Sequence, residues 1–126
     1  MHILIADDDS LNRMVTKTIL MAQGIEVTEV INGLEAYETF LMGTFTAILM
    51  DIEMPVLDGL KAIQRIREHE RKNGGHVPII AITSYTRKED RAEYFRFGID
   101  EYLSKPFKPF ELSSVLQRFI TKQVNL

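Results

Sequence analysis

Side chains that can bind cations, act as nucleophiles or donate hydrogen bonds directly follow several short apolar runs of this 126-residue sequence. They are three consecutive aspartates, a single aspartate, a threonine–serine pair and a lysine: Asp7, Asp8, Asp9, Asp51, Thr83, Ser84 and Lys105. Carboxylates about 4 Å apart repel by roughly 4 kcal/mol at an effective dielectric constant near 20, so a cluster of them needs a cation. Mg²⁺ prefers oxygen ligands, which predicts that Asp8 and Asp51 bind it directly and Asp7 through water. Lys105 would add a further positive charge, and Asp9 is expected to cap a helix.

Five runs have the length and composition of β-strands. Residues 3–6, 47–50 and 77–82 are continuously apolar, a pattern typical of strands covered on both faces of a sheet. Residues 25–30 and 99–103 are interrupted by acidic residues, which indicates strands at the edges of the sheet. The segments between the runs have helical periodicity. Five strand-then-helix units therefore follow one another along the chain.

Each predicted helix has a residue suited to its first turn: Ser10, Asn32, Asp58, Thr86 paired with Glu89, and Pro109. The first helix has an apolar stripe that we expect to face the core: Leu11, Met14, Val15, Ile19 and Ala22. The fourth has Ala92 and Phe95 as its apolar residues. The stripe of the fifth is the clearest: Leu112, Val115, Leu116, Phe119 and Ile120. Charged side chains of the third and fourth helices, Arg67 and Arg91 among them, are expected to be solvated.

The alternation of strands and helices predicts an α/β fold with a parallel sheet and right-handed crossovers. Strands one, three and four are expected at the centre, which fits the order 2-1-3-4-5 of a doubly wound (βα)5, flavodoxin-like three-layer sandwich. Because the strands of such a sheet end at one edge, Asp7, Asp51, Thr83 and Lys105 are expected to meet there. We expect residues 1–126 to form one domain, since a chain of this length buries enough surface for a single core.

The composition excludes several classes of protein. The 15 basic and 18 acidic residues give a net charge of −3 at pH 7 without a basic run, so nucleic-acid binding by charge is not expected. The lack of cysteine excludes disulfides and thiolate metal sites and fits a cytoplasmic location. No apolar run approaches the roughly 20 residues that span a bilayer, and a signal-peptide pattern is missing. Membrane insertion is therefore not expected.

Four segments that contain these side chains resemble the receiver domain of two-component response regulators. They are ILIADDDS at residues 3–10, LMDIEMPVLDG at 49–59, PIIAITS at 78–84 and GIDEYLSKPF at 98–107. The combination of MDxxMPxxDG with a distant Lys-Pro is specific to that family, and the resemblance covers essentially the whole chain. The stretch from residue 67 to 80 is similar to receivers attached to hybrid sensor histidine kinases. The resemblance implies signalling by phosphorelay.

The resemblance also implies roles for the residues at the sheet edge. Asp51 would be the phosphoacceptor. Asp8, one Asp51 oxygen and the backbone carbonyl of Glu53 would bind Mg²⁺, with Asp7 holding a metal-bound water. Lys105 would pair with Asp51 before transfer and with a phosphoryl oxygen afterwards, and the peptide bond that follows it is expected to be cis. The protein would catalyse only its own phosphorylation and dephosphorylation, so it is not expected to be an enzyme in the usual sense.

Further residues would read out and time the signal. A phosphoryl group adds negative charge and acceptor oxygens, and the Thr83 hydroxyl would bond one of them. Tyr102, three residues before the lysine, would turn into the space that this movement opens and switch the surface of the fourth helix, fifth strand and fifth helix. Ser84, a second hydroxyl beside the pocket, and Glu53 and Tyr85, which flank the entry for water, are expected to tune the lifetime of the acyl phosphate.

A histidine kinase or a histidine phosphotransfer domain would supply the phosphoryl group. In the family such a helix bundle docks beside the first helix and the loop after the fifth strand, which makes Leu11, Met14, Pro106 and Phe107 candidate contacts. Leu11 and Met14 also belong to the stripe expected to face the core, so both assignments stay open for them. A phosphorylation-dependent dimer is open as well.

Three other functions fit parts of the pattern. An unphosphorylated receiver-like interaction module would keep the same fold without using the site. An aspartyl-phosphate phosphatase of the haloacid-dehalogenase kind also has a strand-end aspartate and Mg²⁺, but it needs a second aspartate two residues later, where this sequence has Glu53. A flavodoxin-like nucleotide binder would surround phosphate with hydroxyls and backbone amides, where this sequence has Asp7, Asp8 and Asp9.

Overall fold

The computed structural model describes residues 1–84 and 88–124, including every side chain in these ranges except those of residues 88, 89 and 120–124. Within them five strands alternate with five helices. The strands are β1 (His2–Ala6), β2 (Glu26–Val30), β3 (Ala47–Asp51), β4 (Ile79–Thr83) and β5 (Glu101–Ser104). The helices are α1 (Ser10–Met21), α2 (Gly33–Met42), α3 (Gly59–Asn73), α4 (Lys88–Phe97) and α5 (Pro109–Val124). No helix in the described ranges has the length and apolar character needed to cross a lipid bilayer.

The strands form one parallel sheet in the order β2-β1-β3-β4-β5. This order confirms the predicted doubly wound fold. In the register, Ile3 of β1 pairs with Val27 on one side and with Ala47 on the other. The edge strands begin later than predicted, at Glu26 and Glu101.

A separate hydrophobic core covers each face of the sheet. Leu4 and Met50 point into the core formed with α2, α3 and α4, whereas Ile5 and Leu49 point into the one formed with α1 and α5. Every residue of β3 and β4 is buried. Burial on both faces explains why these strands are continuous apolar runs in the sequence.

Polar side chains set the starts of several helices. Asn32 and Asp58 each accept a hydrogen bond from a backbone N–H group in the first turn of α2 and α3, at 2.8 and 2.9 Å, as predicted. Pro109 is the first residue of α5, also as predicted. The prediction for Ser10 is wrong, because Ser10 is already helical and the carboxylate of Asp9 accepts the N–H groups of the first turn of α1.

The first helix turns a different face to the sheet from the one predicted. Four members of its predicted core stripe are exposed: Leu11, Met14, Val15 and Ala22. Thr16 and Leu20 are buried instead, and of the predicted stripe Ile19 packs against the core. A spacing of three and four residues defines an apolar stripe, but it does not determine whether that stripe meets the sheet or another surface.

The fourth helix differs from its prediction in the same way. Ala92 and Phe95 are exposed, and Tyr94 is the residue that enters the core, at 8% exposure. Arg91, expected to be solvated, is half-buried. The predicted capping residue Thr86 lies outside the described residues.

Two charged side chains of α3, Arg67 and Glu70, are buried, which corrects the expectation that this helix keeps its charges in solvent. Arg67 is 8% exposed and donates hydrogen bonds to the carboxylates of Glu70 and Asp100, at 2.6 and 2.7 Å. It also donates to the carbonyl oxygens of Val77 and Gly98. The guanidinium group therefore ties α3 to the segments that lead into β4 and β5.

Candidate functional site

Polar residues lie at or just beyond the ends of four strands, and the parallel arrangement brings them to one edge of the sheet. Asp7 directly follows β1, Asp51 is the last residue of β3, and Thr83 is the last residue of β4. Lys105 follows Ser104, the last residue of β5, which pairs with Thr83. The predicted convergence of these residues is therefore found in the structure.

Ion pairs join the lysine to two of the carboxylates. The Nζ atom of Lys105 lies 3.0 Å from Oδ2 of Asp51 and 3.2 Å from Oδ2 of Asp7. Asp7, Asp8 and Asp51 each present a carboxylate oxygen, and the three oxygens lie within 4.8 Å of one another. Asp7 and Asp51 are buried, whereas Asp8 is exposed. One ammonium group thus pairs with two of the three clustered carboxylates.

Backbone N–H groups orient the two buried aspartates. Oδ1 of Asp7 accepts the N–H of Asp9 at 2.9 Å, and Oδ1 of Asp51 accepts the N–H of Glu53 at 3.1 Å. In both cases the donor lies two residues further on, because the chain turns immediately after the strand. Gly59 begins α3 so close to this turn that a Cβ atom there would overlap the carbonyl oxygen of Asp51. Only glycine fits at that position.

Burial is the main influence on the charge of Asp51. Loss of solvation raises its pKa from 3.8 to about 6, although the hydrogen bond and charge of Lys105 act in the opposite direction. The charge of Asp7 adds to the rise. For Lys105, burial would lower the pKa, but the hydrogen bond to Asp51 and the charges of both aspartates raise it overall. The lysine therefore stays protonated beside a carboxyl group that ionises close to neutral pH.

The donor atoms of the cluster fit a hard divalent cation. Three carboxylates offer only oxygen, and Mg²⁺ is bound in proteins by one or two carboxylates together with water. A divalent cation would also offset the excess negative charge beside Asp51. Across residues 1–84 and 88–124, Asp7, Asp8 and Asp51 form the one acidic or histidine cluster close enough to hold a metal.

The two predicted switch residues lie on neighbouring strands. Thr83 is buried at the end of β4, at 1% exposure. Tyr102, in β5, is half-buried and packs against the core formed with α2, α3 and α4. The guanidinium carbon of Arg91 lies 4.4 Å from the centre of the Tyr102 ring. The aromatic ring is thus covered from α4.

Two of the three residues predicted to tune the lifetime of the acyl phosphate are described. Glu53 is exposed, and its N–H group bonds the carboxylate of Asp51. Ser84 is exposed and lies beside Lys105 in the lining of a cavity. Tyr85 lies outside the described residues.

The cavity beside Lys105 has a volume of about 320 Å³. Its lining combines α1 with the loop after β5: Asn12, Val15, Ser84, Lys105, Pro106 and Phe107. The Lys105–Pro106 peptide bond is cis, as the resemblance implies. Leu11 and Met14 are 61% and 57% exposed on the same stretch of α1. The first helix and this loop therefore present apolar side chains at the mouth of the site.

Tyr94 is a site residue that the sequence reasoning missed. Burial raises the pKa of its hydroxyl group, and a hydrogen bond with the side chain of Thr83 acts on this pKa in the opposite direction. The available signal was a second apolar pair in α4, since Tyr94 and Phe97 are three residues apart. Tyr94 with Phe97 and Ala92 with Phe95 define two alternative apolar faces of the same helix, and the sequence does not determine which face meets the core.

A family model for the response regulator receiver domain matches residues 3–117 of the chain. Hybrid signal transduction histidine kinase I of Dictyostelium discoideum is 36% identical over an alignment of 127 residues, gaps included. The alignment covers 97% of this chain and 7% of that protein. Transcriptional regulatory protein SrrA of Staphylococcus aureus is 36% identical over 111 residues, which cover 88% and 44%. The chain thus spans less than half the length of these curated relatives.

Two solved structures extend the comparison. One is the receiver domain of a sensor histidine kinase from Pseudomonas aeruginosa, with a magnesium ion coordinated in its active-site cleft. It shares 41% identity and a TM-score of 0.86, covering 94% of this chain and 96% of that one. The other is the Saccharomyces cerevisiae complex of the histidine phosphotransfer protein Ypd1 with the receiver domain of Ssk1. It shares 28% identity and a TM-score of 0.93, covering 98% and 90%.

Proposed function

The chain belongs to the response regulator receiver domain family, and we propose that its Asp51 accepts a phosphoryl group from a phosphohistidine of a partner protein. The observation that carries this proposal is the surroundings of Asp51. This buried carboxylate lies 3.0 Å from the ammonium group of Lys105 and within 4.8 Å of the oxygens of Asp7 and Asp8. Phosphorylation of an aspartate with Mg²⁺ is typical of the family.

The transfer step depends on positioning and on charge neutralisation. A carboxylate oxygen of Asp51 attacks the phosphorus, and the phosphorus–nitrogen bond to the donor imidazole breaks. The electron pair returns to the imidazole nitrogen. The N–H of Glu53 and the ammonium group of Lys105 hold the Asp51 carboxylate at the sheet edge, so little ordering is left for the moment of transfer.

We assign the Mg²⁺ ligands to Asp8, to one oxygen of Asp51 and to the backbone carbonyl of Glu53, with Asp7 binding through water. Bound Mg²⁺ would neutralise charge on the phosphoryl oxygens and screen the carboxylates from one another. The N–H of Asp9 holds one oxygen of Asp7 in place, which leaves the other oxygen to Lys105. Because both oxygens of Asp7 already have hydrogen-bond partners, this arrangement fits binding of Asp7 to Mg²⁺ through water.

The switch begins at the new charge. After transfer, Lys105 bonds a phosphoryl oxygen, and the Thr83 hydroxyl bonds another. Tyr102 follows Thr83, and the surface formed by α4, β5 and α5 changes as a pre-existing equilibrium shifts. That surface is where a phosphorylation-dependent dimer would form.

The receiver also controls how long the signal lasts. It catalyses its own dephosphorylation, with water as the attacking group, and no other substrate is involved. We assign control of water entry to Glu53, Ser84 and Tyr85, and both described members of this group are exposed.

The donor is a histidine kinase or a histidine phosphotransfer domain. We place its docking surface on the apolar side chains at the mouth of the site, with Leu11, Met14, Pro106 and Phe107 as contacts. The exposure of Leu11 and Met14 supports this assignment over a place in the core. A phosphohistidine that reaches Asp51 across this surface passes beside Lys105.

We further assign residues 1–126 to a single receiver domain that works in the cytoplasm.

The test is the intact mass of the protein after incubation with a small phosphodonor, with and without Mg²⁺. We expect the parent to gain one phosphoryl group only when Mg²⁺ is present, and Asp51→Asn to gain none. Asp58→Asn is the matched control, because asparagine also caps a helix and the carboxylate of Asp58 is not one of the three in the cluster. Phosphorylation of Asp51→Asn, or none of the parent, would refute the proposal. Repeated turnover of phosphate esters would instead indicate a phosphatase.

A further inference from the structure

We propose that Arg13 is a positioning residue, whose guanidinium group fixes the loop after β1 and with it the Mg²⁺ ligand Asp8. This inference rests on the proposed function, because it concerns the metal ligands assigned there, and it extends the site to a residue of α1. Arg13 lies outside the four segments that resemble the family and outside the cluster of carboxylates.

The guanidinium group of Arg13 reaches the backbone of the loop that follows β1. Its Nη1 atom donates a hydrogen bond of 2.8 Å to the carbonyl oxygen of Asp7. The side chain is only 17% exposed, so water competes little for this contact. The carbonyl group belongs to the planar peptide unit that joins Asp7 to Asp8. A fixed direction of this carbonyl therefore fixes the point from which the Asp8 side chain leaves the backbone.

A second nitrogen of the same side chain is anchored to the neighbouring edge strand. Nε of Arg13 lies 3.6 Å from Oε1 of Glu29, a residue of β2 that pairs with Ile5 of β1. The other carboxylate oxygen of Glu29 lies 3.0 Å from Nζ of Lys17, one turn further along α1. Arg13 thus joins α1, the loop and β2, and its planar guanidinium group holds the two contacts in a fixed relation.

Asp7 and Asp8 differ in how they are held. The two side-chain oxygens of Asp7 accept hydrogen bonds from the N–H of Asp9 and from Lys105. The N–H of Asp7 donates to the carbonyl oxygen of Val30 at 3.2 Å. Asp8 is exposed, and its place beside the other two carboxylates follows from the course of the backbone. The contact of Arg13 with that backbone therefore matters most for Asp8.

Charge and position have opposite effects on a cation, which makes the role of Arg13 testable. A positive charge beside the cluster repels Mg²⁺, so removal of the charge alone would strengthen Mg²⁺ binding. Loss of a group that orients a metal ligand weakens binding, commonly by about tenfold or more. Weaker Mg²⁺ binding after replacement of Arg13 therefore indicates the lost contact with the loop.

The test is the Mg²⁺ affinity of the protein, measured by chemical-shift titration of its backbone amide groups. We expect Arg13→Met, which keeps much of the apolar stem, to weaken Mg²⁺ binding about tenfold. Lys17→Met is the matched control, because it removes the same charge from α1 and a partner from Glu29 but leaves the contact with Asp7 in place. Its affinity should stay within about twofold of the parent, since the charge of this side chain is screened by solvent.

Hydrogen exchange of the Asp9 amide tests the position of the loop without metal. This N–H group donates to Oδ1 of Asp7 at 2.9 Å, so its exchange rate reports how often the loop opens. We expect exchange to be about fivefold faster in Arg13→Met, the effect of one hydrogen bond, and unchanged in Lys17→Met. Thermal unfolding of both variants verifies that they are folded. Arg13→Lys is the second variant and should show both effects at smaller size, because one ammonium group replaces the planar guanidinium.

The outcomes separate this inference from the proposed function. Failure of the parent to bind Mg²⁺, or unchanged binding by Asp8→Asn, would refute the assigned metal site and this inference with it. If Asp8→Asn does weaken binding, equal affinities of Arg13→Met and Lys17→Met overturn this inference alone. An unchanged exchange rate of the Asp9 amide in Arg13→Met overturns it as well, because the loop would then hold its position without the guanidinium group.

Discussion

Lys105 donates hydrogen bonds to both Asp51 and Asp7, although 54 and 98 positions separate it from them in the sequence. The contacts exist because the loop after β5 brings the lysine to the edge where β1 and β3 end. One ammonium group thereby serves two buried carboxylates. Breaking a buried ion pair leaves an uncompensated charge. A substitution of Lys105, Asp51 or Asp7 therefore changes the electrostatic environment of the other two residues.

The first prediction concerns the pH dependence of stability in the absence of metal. The pKa of Asp51 is about 6 in the folded protein against 3.8 as its ordinary value, so the folded state binds the proton more tightly. The contribution of Asp51 to the free energy of unfolding is therefore fully present below pH 4, and it is lost as the pH rises through 6. We expect Asp51→Asn to gain about 2–3 kcal/mol relative to the parent between pH 4 and 7.

Urea unfolding at several pH values in the presence of a chelator measures this difference. Glu38→Gln, which removes an exposed carboxylate from α2, is the control and should keep a constant offset from the parent. A constant offset for Asp51→Asn as well would contradict the raised pKa.

The second prediction concerns Mg²⁺. Binding to the folded state alone stabilises it, by about 1.4 kcal/mol when the ion is tenfold above its Kd. We expect millimolar Mg²⁺ to raise the melting temperature of the parent, and Asp8→Asn to lose most of that shift. Asp9→Asn should retain it, since asparagine caps α1 equally well and Asp9 lies outside the three-carboxylate cluster. Equal shifts for both variants would show that the ion binds elsewhere.

Much of the fold was predictable because its signals are local. The buried strands β3 and β4 are continuous apolar runs, and strand-end aspartates such as Asp51 converge whenever a parallel sheet forms. The direction of the α1 stripe was not predictable. Leu11 and Met14 have the spacing of core residues, but Leu20 packs against the sheet while Leu11 and Met14 remain exposed.

Contacts between distant residues account for the other differences. Arg67 has the sequence context of a surface arginine, and its burial depends on Asp100, which lies 33 positions away. Tyr94 differs from a simple core aromatic only through its hydroxyl, whose partner Thr83 belongs to another element. Periodicity reports which face of a helix is apolar. It does not report which polar atoms meet across the core.

The third prediction concerns the contact between α2 and the loop after Asp51. The N–H of Gly33 donates to the carbonyl oxygen of Leu57 at 2.9 Å, and a Cβ atom at Gly33 would overlap that oxygen. We expect Gly33→Ala to lower the free energy of unfolding by about 2 kcal/mol, since backbone atoms must move apart. Gly43→Ala, at the other end of α2, is the control, because its Cβ would lie 3.4 Å from the Phe45 side chain. Denaturant titration of both variants measures the two free energies of unfolding. A similar loss in both variants would indicate a general effect of alanine and contradict the predicted overlap at Gly33.

The fourth prediction concerns the buried arginine of α3. Replacing Arg67 by methionine keeps much of the apolar stem but leaves the carboxylates of Glu70 and Asp100 without their guanidinium partner. Removing one member of a buried ion pair costs about 3–5 kcal/mol, so we expect Arg67→Met to lose that much stability in denaturant titrations. Arg67→Lys should recover only part, because one ammonium group cannot reach four acceptors in the plane of a guanidinium. Arg71→Met, one turn further on and exposed, should change stability by less than about 0.5 kcal/mol. Equal losses for Arg67→Met and Arg71→Met would show that the network contributes only through helix charge, and would contradict the buried role assigned to Arg67.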